Sequence, residues 1–388
     1  MRMNPLPTGA LAAGLFLCAI AASAEPIIPA RDDEVIEVLP ATAGGRSEDR
    51  RLRQQLAARP DDAALAVRVA QRDLDRAREA GDPRFAGLAL AALRPWPDAA
   101  TAPAEVLLMR ATLQQYLHEF DASVTTLRQL LARPGEAGRA QAWLTLATVL
   151  RVQARYAESD EACRRVAAAG AELHAGGCLA ENAALHGDVG AARRSFESLL
   201  ARPGLPPVTQ GWLLTSLAEL EERERRSAAA DAAYRRVLAL GPDTYAAIAY
   251  ADFLIAQQRP AEALATLKRE PRTDAVLLRL AIAGSRAKAA TAAADAAEMR
   301  ERIAVSNHRP EAQKFHGREQ AMFALLVEAA PARALALARG NVEQQREPLD
   351  LLLLAEAAKA SGDVAAIDEA RRLKAALGLH DRRIDALL

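Results

Sequence analysis

From Arg46 onward, apolar side chains recur at the spacing of an α-helix, and turn signals interrupt this pattern every dozen or so residues. The turn signals are of two kinds, Gly-Asp steps within units and prolines between units. The steps are Gly81-Asp82, Gly187-Asp188 and Gly362-Asp363, and the prolines are Pro134, Pro203, Pro242 and Pro271. Strand signals are nearly absent. The pattern predicts an all-α protein built from helical hairpins in series.

Small residues recur in pairs separated by 12 positions. Two antiparallel helices approach closely only where both carry little side chain, and this separation places both members of a pair at one helix crossing. The pairs are Ala111 with Ser123, Ala147 with Ser159, Ala180 with Ala192, Ala218 with Ala230, Ala251 with Ala263, Ala281 with Ala293, and Ala355 with Ile367. A repeat of this length predicts a stack in which each hairpin buries its apolar face against its neighbours.

The spacing of large and small positions resembles the tetratricopeptide repeat family. The clearest copy consists of Trp143, Leu146, Ala147, Leu150, Tyr156, Ser159, Cys163 and Val166, and weaker copies begin at Leu214, Ala247 and Leu351. Segments 60–97 and 308–340 depart from the pattern, so their register stays open. The resemblance implies a right-handed superhelical solenoid of about nine or ten hairpins. It also implies that the first helix of each hairpin lines a concave wall that binds extended peptides or partner helices.

The family's inward positions, carried onto this sequence, predict a binding groove. The candidate groove residues are Gln115, Arg151, Glu181, Trp212, Glu219, Tyr245 and Asp252. Glu181, Glu219 and Asp252 share one position in three consecutive copies. A row of carboxylates beside two aromatic residues suits a basic peptide with one apolar anchor. The alternative is an ordinary solvated helix face, with Trp212 or Tyr245 covering a junction between repeats.

Residues 1–24 have the form of a cleaved bacterial signal peptide. Arg2 precedes an apolar stretch from Ala10 to Ala22, and Ala22-Ser23-Ala24 is a small-residue cleavage site that makes Glu25 the mature start. An uncleaved anchor and a lipidated Cys18 are the alternatives. Residues 25–47, with several prolines and glycines, predict an extended and partly ordered segment before the repeat array of residues 48–388. The predicted location is the periplasm, with no membrane insertion after cleavage.

Two cysteines remain in the mature chain. Cys163 and Cys178 lie at similar distances on either side of Gly170, so an antiparallel helix pair that turns there places them at similar heights. Export favours a disulfide between them. Two buried thiols that pack as small hydrophobic side chains are the alternative.

Charge and motifs exclude several classes of function. Fifty basic and fifty acidic side chains leave no net charge, which argues against a nucleic-acid partner. The six histidines are scattered, and no metal-binding, nucleotide-binding or serine-hydrolase motif occurs. His174, Cys178 and Glu181 form a possible metal corner, but Gly176 and Gly177 interrupt that turn, so we predict neither metal nor cofactor.

The sequence therefore predicts a non-enzymatic scaffold or adaptor in the bacterial envelope, which binds a peptide or helix of another envelope protein in its concave groove. The alternative is an accessory factor that binds a glycan or small molecule, for example in polysaccharide export, with sugar rings stacked on Trp212 and Tyr245. The partner's identity and the oligomeric state leave no separable trace in the sequence.

Overall fold

A computed structural model describes residues 45–135, 138–308 and 312–388. The predicted signal peptide and nearly all of the predicted lead-in segment lie outside these ranges. The described part contains twenty helices and no strand. They are α1 (Gly45–Ala58), α2 (Ala63–Ala80), α3 (Arg84–Ala92), α4 (Ala104–Tyr116), α5 (Phe120–Leu131), α6 (Arg139–Val152), α7 (Tyr156–Ala168), α8 (Glu172–Leu185), α9 (Val189–Leu200), α10 (Pro207–Arg223), α11 (Ser227–Leu240), α12 (Thr244–Ala256), α13 (Pro260–Leu267), α14 (Asp274–Ala287), α15 (Ala292–Asn307), α16 (Ala312–Leu326), α17 (Pro331–Val342), α18 (Pro348–Ser361), α19 (Val364–Leu377) and α20 (Arg382–Asp385).

Helices α2 to α19 form nine consecutive hairpins within the described part of the chain. Several first helices begin at side-chain caps that the sequence supplies. Asp62, Asp243 and Thr273 each accept a hydrogen bond from a backbone N–H in the first turn of α2, α12 and α14. The compact unit from Asp49 to Leu388 is thus a solenoid of helical hairpins, which confirms the predicted fold class.

The hairpins cross where the small-residue pattern predicts. The hydroxyl of Ser123 donates a 2.9 Å hydrogen bond to the carbonyl oxygen of Ala111, and Ser159 donates one of 2.8 Å to Ala147. The pairs at Ala180, Ala218 and Ala251 are also buried with their partners. Because a larger side chain at these positions would separate the helices, the pattern fixes how closely each hairpin closes.

Two of the seven predicted crossings are wrong. Ala293 is exposed, and the close approach in its hairpin lies between Gly284 and Ala292, where a Cβ on Gly284 would lie 3.4 Å from the Ala292 Cα. In the last hairpin Ala366, not Ile367, is fully buried. Turn length explains both shifts, because four residues separate α14 from α15 and two separate α18 from α19, whereas three separate α4 from α5.

The solenoid returns on itself after six hairpins. The Arg346 N–H donates a 2.8 Å hydrogen bond to the Val152 carbonyl, and the His380 N–H donates one of 2.7 Å to Leu185. At Gly81, a Cβ would lie 2.8 Å from the Cβ of Thr273. Each of these contacts joins positions about 190 residues apart along the chain, so successive superhelical turns pack directly on each other.

Candidate functional site

Seven first helices, α6, α8, α10, α12, α14, α16 and α18, converge on two adjoining cavities. The central cavity has a volume of about 290 Å³ and the side cavity about 110 Å³. Only Tyr234 of α11 and Arg383 of α20 reach these cavities from elsewhere; the rest of the lining comes from the first helices and from Glu347, the cap of α18. The cavities share a wall of Glu219, Arg223, Tyr245, Glu347 and Pro348.

Glu181 lies at the centre of a hydrogen-bonded cluster beside the side cavity. One carboxylate oxygen accepts hydrogen bonds from the Trp212 indole N–H, at 2.9 Å, and from the Ser216 hydroxyl, at 2.7 Å. The other lies 2.7 Å from a guanidinium nitrogen of Arg151. The structure thus brings three of the predicted groove residues together. Because these residues bind each other, the Glu181 carboxylate has little hydrogen-bonding capacity left for a cation of a ligand.

Trp212 packs at a junction between repeats. Its indole ring contacts Gly177 of α8 so closely that no Cβ would fit there, and the ring stacks on His174 with centroids 6.0 Å apart. Gly177 therefore has a packing role, since it makes room for the Trp212 ring, whereas a Cβ on Gly176 would lie 3.4 Å from Leu199. The position agrees with the junction alternative for Trp212, whose half-buried ring is stacked on His174.

Tyr245 projects into the cavities and is 65% exposed. Its hydroxyl donates a 2.9 Å hydrogen bond to Glu219. Burial raises the pKa of Glu219, and the nearby Glu219 charge raises the pKa of Tyr245. The exposed fraction of this ring shows that water reaches the cavity wall.

The third carboxylate of the predicted row, Asp252, forms a two-pronged ion pair with Arg279. The two nitrogen–oxygen distances are 3.0 and 2.9 Å, and Arg279 is only 3% exposed. Gln115, on α4, is half-buried and lines neither cavity. All three carboxylates of the predicted row therefore have partners within the protein.

The C-terminal hairpins contribute charged cavity residues that were not predicted from the sequence. Arg318 lies 2.6 Å from Asp350 and 2.5 Å from Glu347, and Arg383 lies 2.6 Å from Glu222. Burial raises the pKa of Asp350. Opposite charges one repeat apart on successive first helices were the signal that could have found Arg318 and Asp350.

Two charged side chains at the central cavity, Arg223 and Glu319, have no ion pair with any described residue, unlike the paired arginines there. Arg223 is 8% exposed and borders both cavities, yet within the described part of the chain it has neither a hydrogen bond nor an ion pair. Glu319 has no ion pair with any described cation. Burial raises its pKa, but the guanidiniums of Arg318 and Arg279 outweigh this and leave the pKa lowered.

The two predicted disulfide cysteines are joined in the structure. Cys163 of α7 and Cys178 of α8 form a disulfide with their Cα atoms 5.7 Å apart. Asn182 lies beside it and donates hydrogen bonds to Ser159, at 2.9 Å, and to Asp160, at 2.8 Å. Because Cys178 is part of the disulfide, it offers no free thiol to the possible metal site of His174, Cys178 and Glu181.

The described ranges contain neither a metal-binding cluster nor a membrane-spanning helix. No group of three or more histidine, cysteine or carboxylate side chains there is placed to hold a metal ion. None of the helices there combines the length and the apolar character needed to cross a bilayer.

No family model matches the sequence, and no curated protein matches it. Solved structures do. The chain is similar to a tetratricopeptide repeat protein from Parabacteroides merdae, with 16% identity, a TM-score of 0.46, and alignment over 58% of this chain and 84% of that one. It is also similar to the tetratricopeptide repeat domain of P58(IPK), with 14% identity, a TM-score of 0.21, and alignment over 84% and 93%.

Proposed function

We propose that the chain is an exported, non-enzymatic scaffold of the bacterial envelope, which binds a segment of another protein. The observation that carries the proposal is the convergence of seven first helices on two adjoining, water-accessible cavities, with the exposed ring of Tyr245 in their shared wall. An exposed tyrosine in a concave wall supplies a rigid, amphipathic contact of the kind that dominates binding energy. The proposal requires neither cofactor nor metal.

Tyr245→Ala tests partner binding with little damage to the fold, because the ring is mostly exposed. Wild-type and variant proteins are cross-linked in the native cells, and the attached proteins are identified. Val364→Ala is the matched control, since Val364 is 71% exposed at the start of α19 and lines neither cavity. Loss of a partner from the Tyr245 variant alone supports the proposal, and equal yields from both variants exclude this wall as the binding surface.

A triple alanine variant of Glu181, Glu219 and Asp252 is less suitable. Glu181 holds Arg151, Trp212 and Ser216, and removing Asp252 leaves the buried Arg279 without its carboxylate. Loss of binding in that variant would reflect loss of packing as much as loss of a partner contact.

The location is tested separately. We expect the mature protein in the periplasmic fraction to begin at Glu25. A protein that retains Met1, or that is found only in the cytoplasmic fraction, would contradict export.

The size of the central cavity favours a second function, the binding of a small molecule. Its volume of about 290 Å³ lies near the lower end of ligand pockets, which span roughly 300–1,000 Å³. Of the two aromatic residues suggested for stacking on a sugar, only Tyr245 has an accessible ring, because Trp212 is packed at its junction.

A further inference from the structure

We propose that the central cavity binds a zwitterionic small molecule of amino-acid or dipeptide size, with its carboxylate on Arg223 and its ammonium group on Glu319. This inference specifies the second function proposed above. It is independent of the protein partner, because it is tested on the purified chain.

The Arg223 side chain has no direct hydrogen bond or ion pair within the described part of the chain, and its charge acts on Glu219 only through space. Burying a guanidinium without a partner costs free energy, so proteins normally pair it with an anion or leave it in bulk water. Arg223 is 8% exposed and unpaired among the described residues. It lies in the wall that the two cavities share, where an anionic group of a ligand can reach it.

The other three guanidiniums of the central cavity provide the contrast. Arg279 pairs with Asp252, Arg318 with Asp350 and Glu347, and Arg383 with Glu222 and Asp381. Each has at least one carboxylate within 3 Å. Arg223 is the cation of this described lining whose donors remain available, and a carboxylate matches its planar fork.

The charge balance of the cavity then selects a zwitterion over a simple anion. Glu319 is the carboxylate of the lining that has neither an ion pair nor a tyrosine hydroxyl on it, whereas Glu219 receives the hydroxyl of Tyr245. A simple anion would pair with Arg223 but leave Glu319 without a direct ion-pair partner, since Arg318 and Arg279 act on its charge only through space. A molecule with one carboxylate and one ammonium group satisfies both.

The rest of the lining provides an apolar surface and sets the size. Ile248, Ala249, Pro348, Leu349 and the ring of Tyr245 border the same space. These side chains suit one or two aliphatic groups of a ligand. A cavity of about 290 Å³ holds a dipeptide but not a helix or a long extended peptide.

The test is isothermal titration calorimetry of the purified mature protein with L-leucyl-L-leucine as probe. We expect saturable binding that weakens at least about tenfold when the amino group is acetylated and when the carboxyl group is amidated. Absence of binding at millimolar dipeptide, or equal binding of the capped forms, would overturn the proposal. These comparisons use the wild-type chain, so they stand even if a variant folds poorly.

Two variants assign the ends of the ligand. Arg223→Gln should weaken the dipeptide at least about tenfold and leave the ligand-free melting temperature unchanged or higher, since it removes an unpaired buried charge. Glu319→Gln should weaken the unmodified dipeptide while leaving its acetylated form unaffected. Arg128→Gln, at an exposed ion pair with Glu158, is the matched control and should bind as wild type. Wild-type affinity in Arg223→Gln would refute the assignment.

Discussion

The hairpin crossings and the concave wall are stabilised in different ways. At the crossings the contacts are alanine and serine side chains 12 residues apart, such as Ser159 on Ala147. At the wall the contacts are charged side chains about one repeat apart, such as Arg318 with Asp350. A crossing does not accommodate added volume, whereas a charge pair of the wall, such as Arg318 with Asp350, is destabilised when one partner is removed.

A single hairpin determines each crossing, whereas the superhelix determines the cavities. Each crossing is complete within one hairpin. The cavities exist only because the chain returns after six hairpins, so that His380 reaches Leu185 and Arg346 reaches Val152. Closure of the superhelix therefore decides whether the concave wall is an open groove or borders partly open cavities.

Arg318→Ala gives the largest expected effect, because it removes the guanidinium from Asp350, whose side chain is completely buried. We expect the free energy of unfolding, measured with urea, to fall by about 3–5 kcal/mol. Arg128→Ala breaks an ion pair whose side chains are 53% and 47% exposed, and should cost no more than about 1 kcal/mol. Similar losses in both variants would show that the wall charges are effectively solvated.

Removal of the disulfide tests the link between neighbouring hairpins. The bridge closes a loop of 15 positions, for which the loss of chain entropy in the unfolded state predicts a stabilisation of about 3 kcal/mol. Replacing Cys163 and Cys178 by serine should lower the unfolding free energy by that amount, and a reductant should lower it only in the wild type. A wild-type protein that is insensitive to reductant would favour two free buried thiols.

Tyr156 tests the packing between superhelical turns, since it belongs to the same apolar cluster as Leu379 and Ile384. Burial raises the pKa of Tyr156 to about 12, from 10 in the unfolded chain. Its contribution to stability is therefore fully present below pH 10 and is lost as pH rises from 10 to 12, by about 2–3 kcal/mol. Tyr156→Phe should lack this part of the decline, and identical pH profiles of the two proteins would contradict the buried position.

The smallest expected effect comes from enlarging an alanine, which should be costly at an observed helix crossing and nearly neutral at a position wrongly predicted to be one. Ala230 is completely buried, so Ala230→Leu should cost about 1–3 kcal/mol by overpacking. Ala293 occupies the matching position in the sequence pattern but is exposed, and Ala293→Leu should change the unfolding free energy by less than about 0.5 kcal/mol. Urea unfolding of the two variants measures the difference, and a reversed order would restore the original register.

The fold could be predicted because its determinants are local. Helical spacing, turns and small-residue pairs all lie within about 40 residues, and the errors at Ala293 and Ile367 came from turns of unusual length. The site could be predicted only in part. The family's inward positions lie on one face of each first helix, so the resemblance singled out Glu181, Glu219, Tyr245 and Asp252, which line the two cavities.

Whether these side chains have ion-pair or hydrogen-bond partners could not be predicted from one helix face. Whether a carboxylate is free depends on side chains one repeat away, such as Arg279 for Asp252, or a full turn away, such as Arg383 for Glu222. Contacts across a turn depend on the superhelical pitch, to which every repeat interface contributes a small rotation. No residue pattern within a single repeat specifies the total rotation that sets this pitch.

Hydrogen exchange at two backbone amides tests the closure of the superhelix most directly. The N–H groups of Arg346 and His380 lie outside helices, and each donates its hydrogen bond to a carbonyl of the preceding superhelical turn. If the turns pack as described, both amides exchange as slowly as those of the buried helices. Exchange of both amides at the rate of an exposed loop would show an open spiral whose successive turns do not pack on each other.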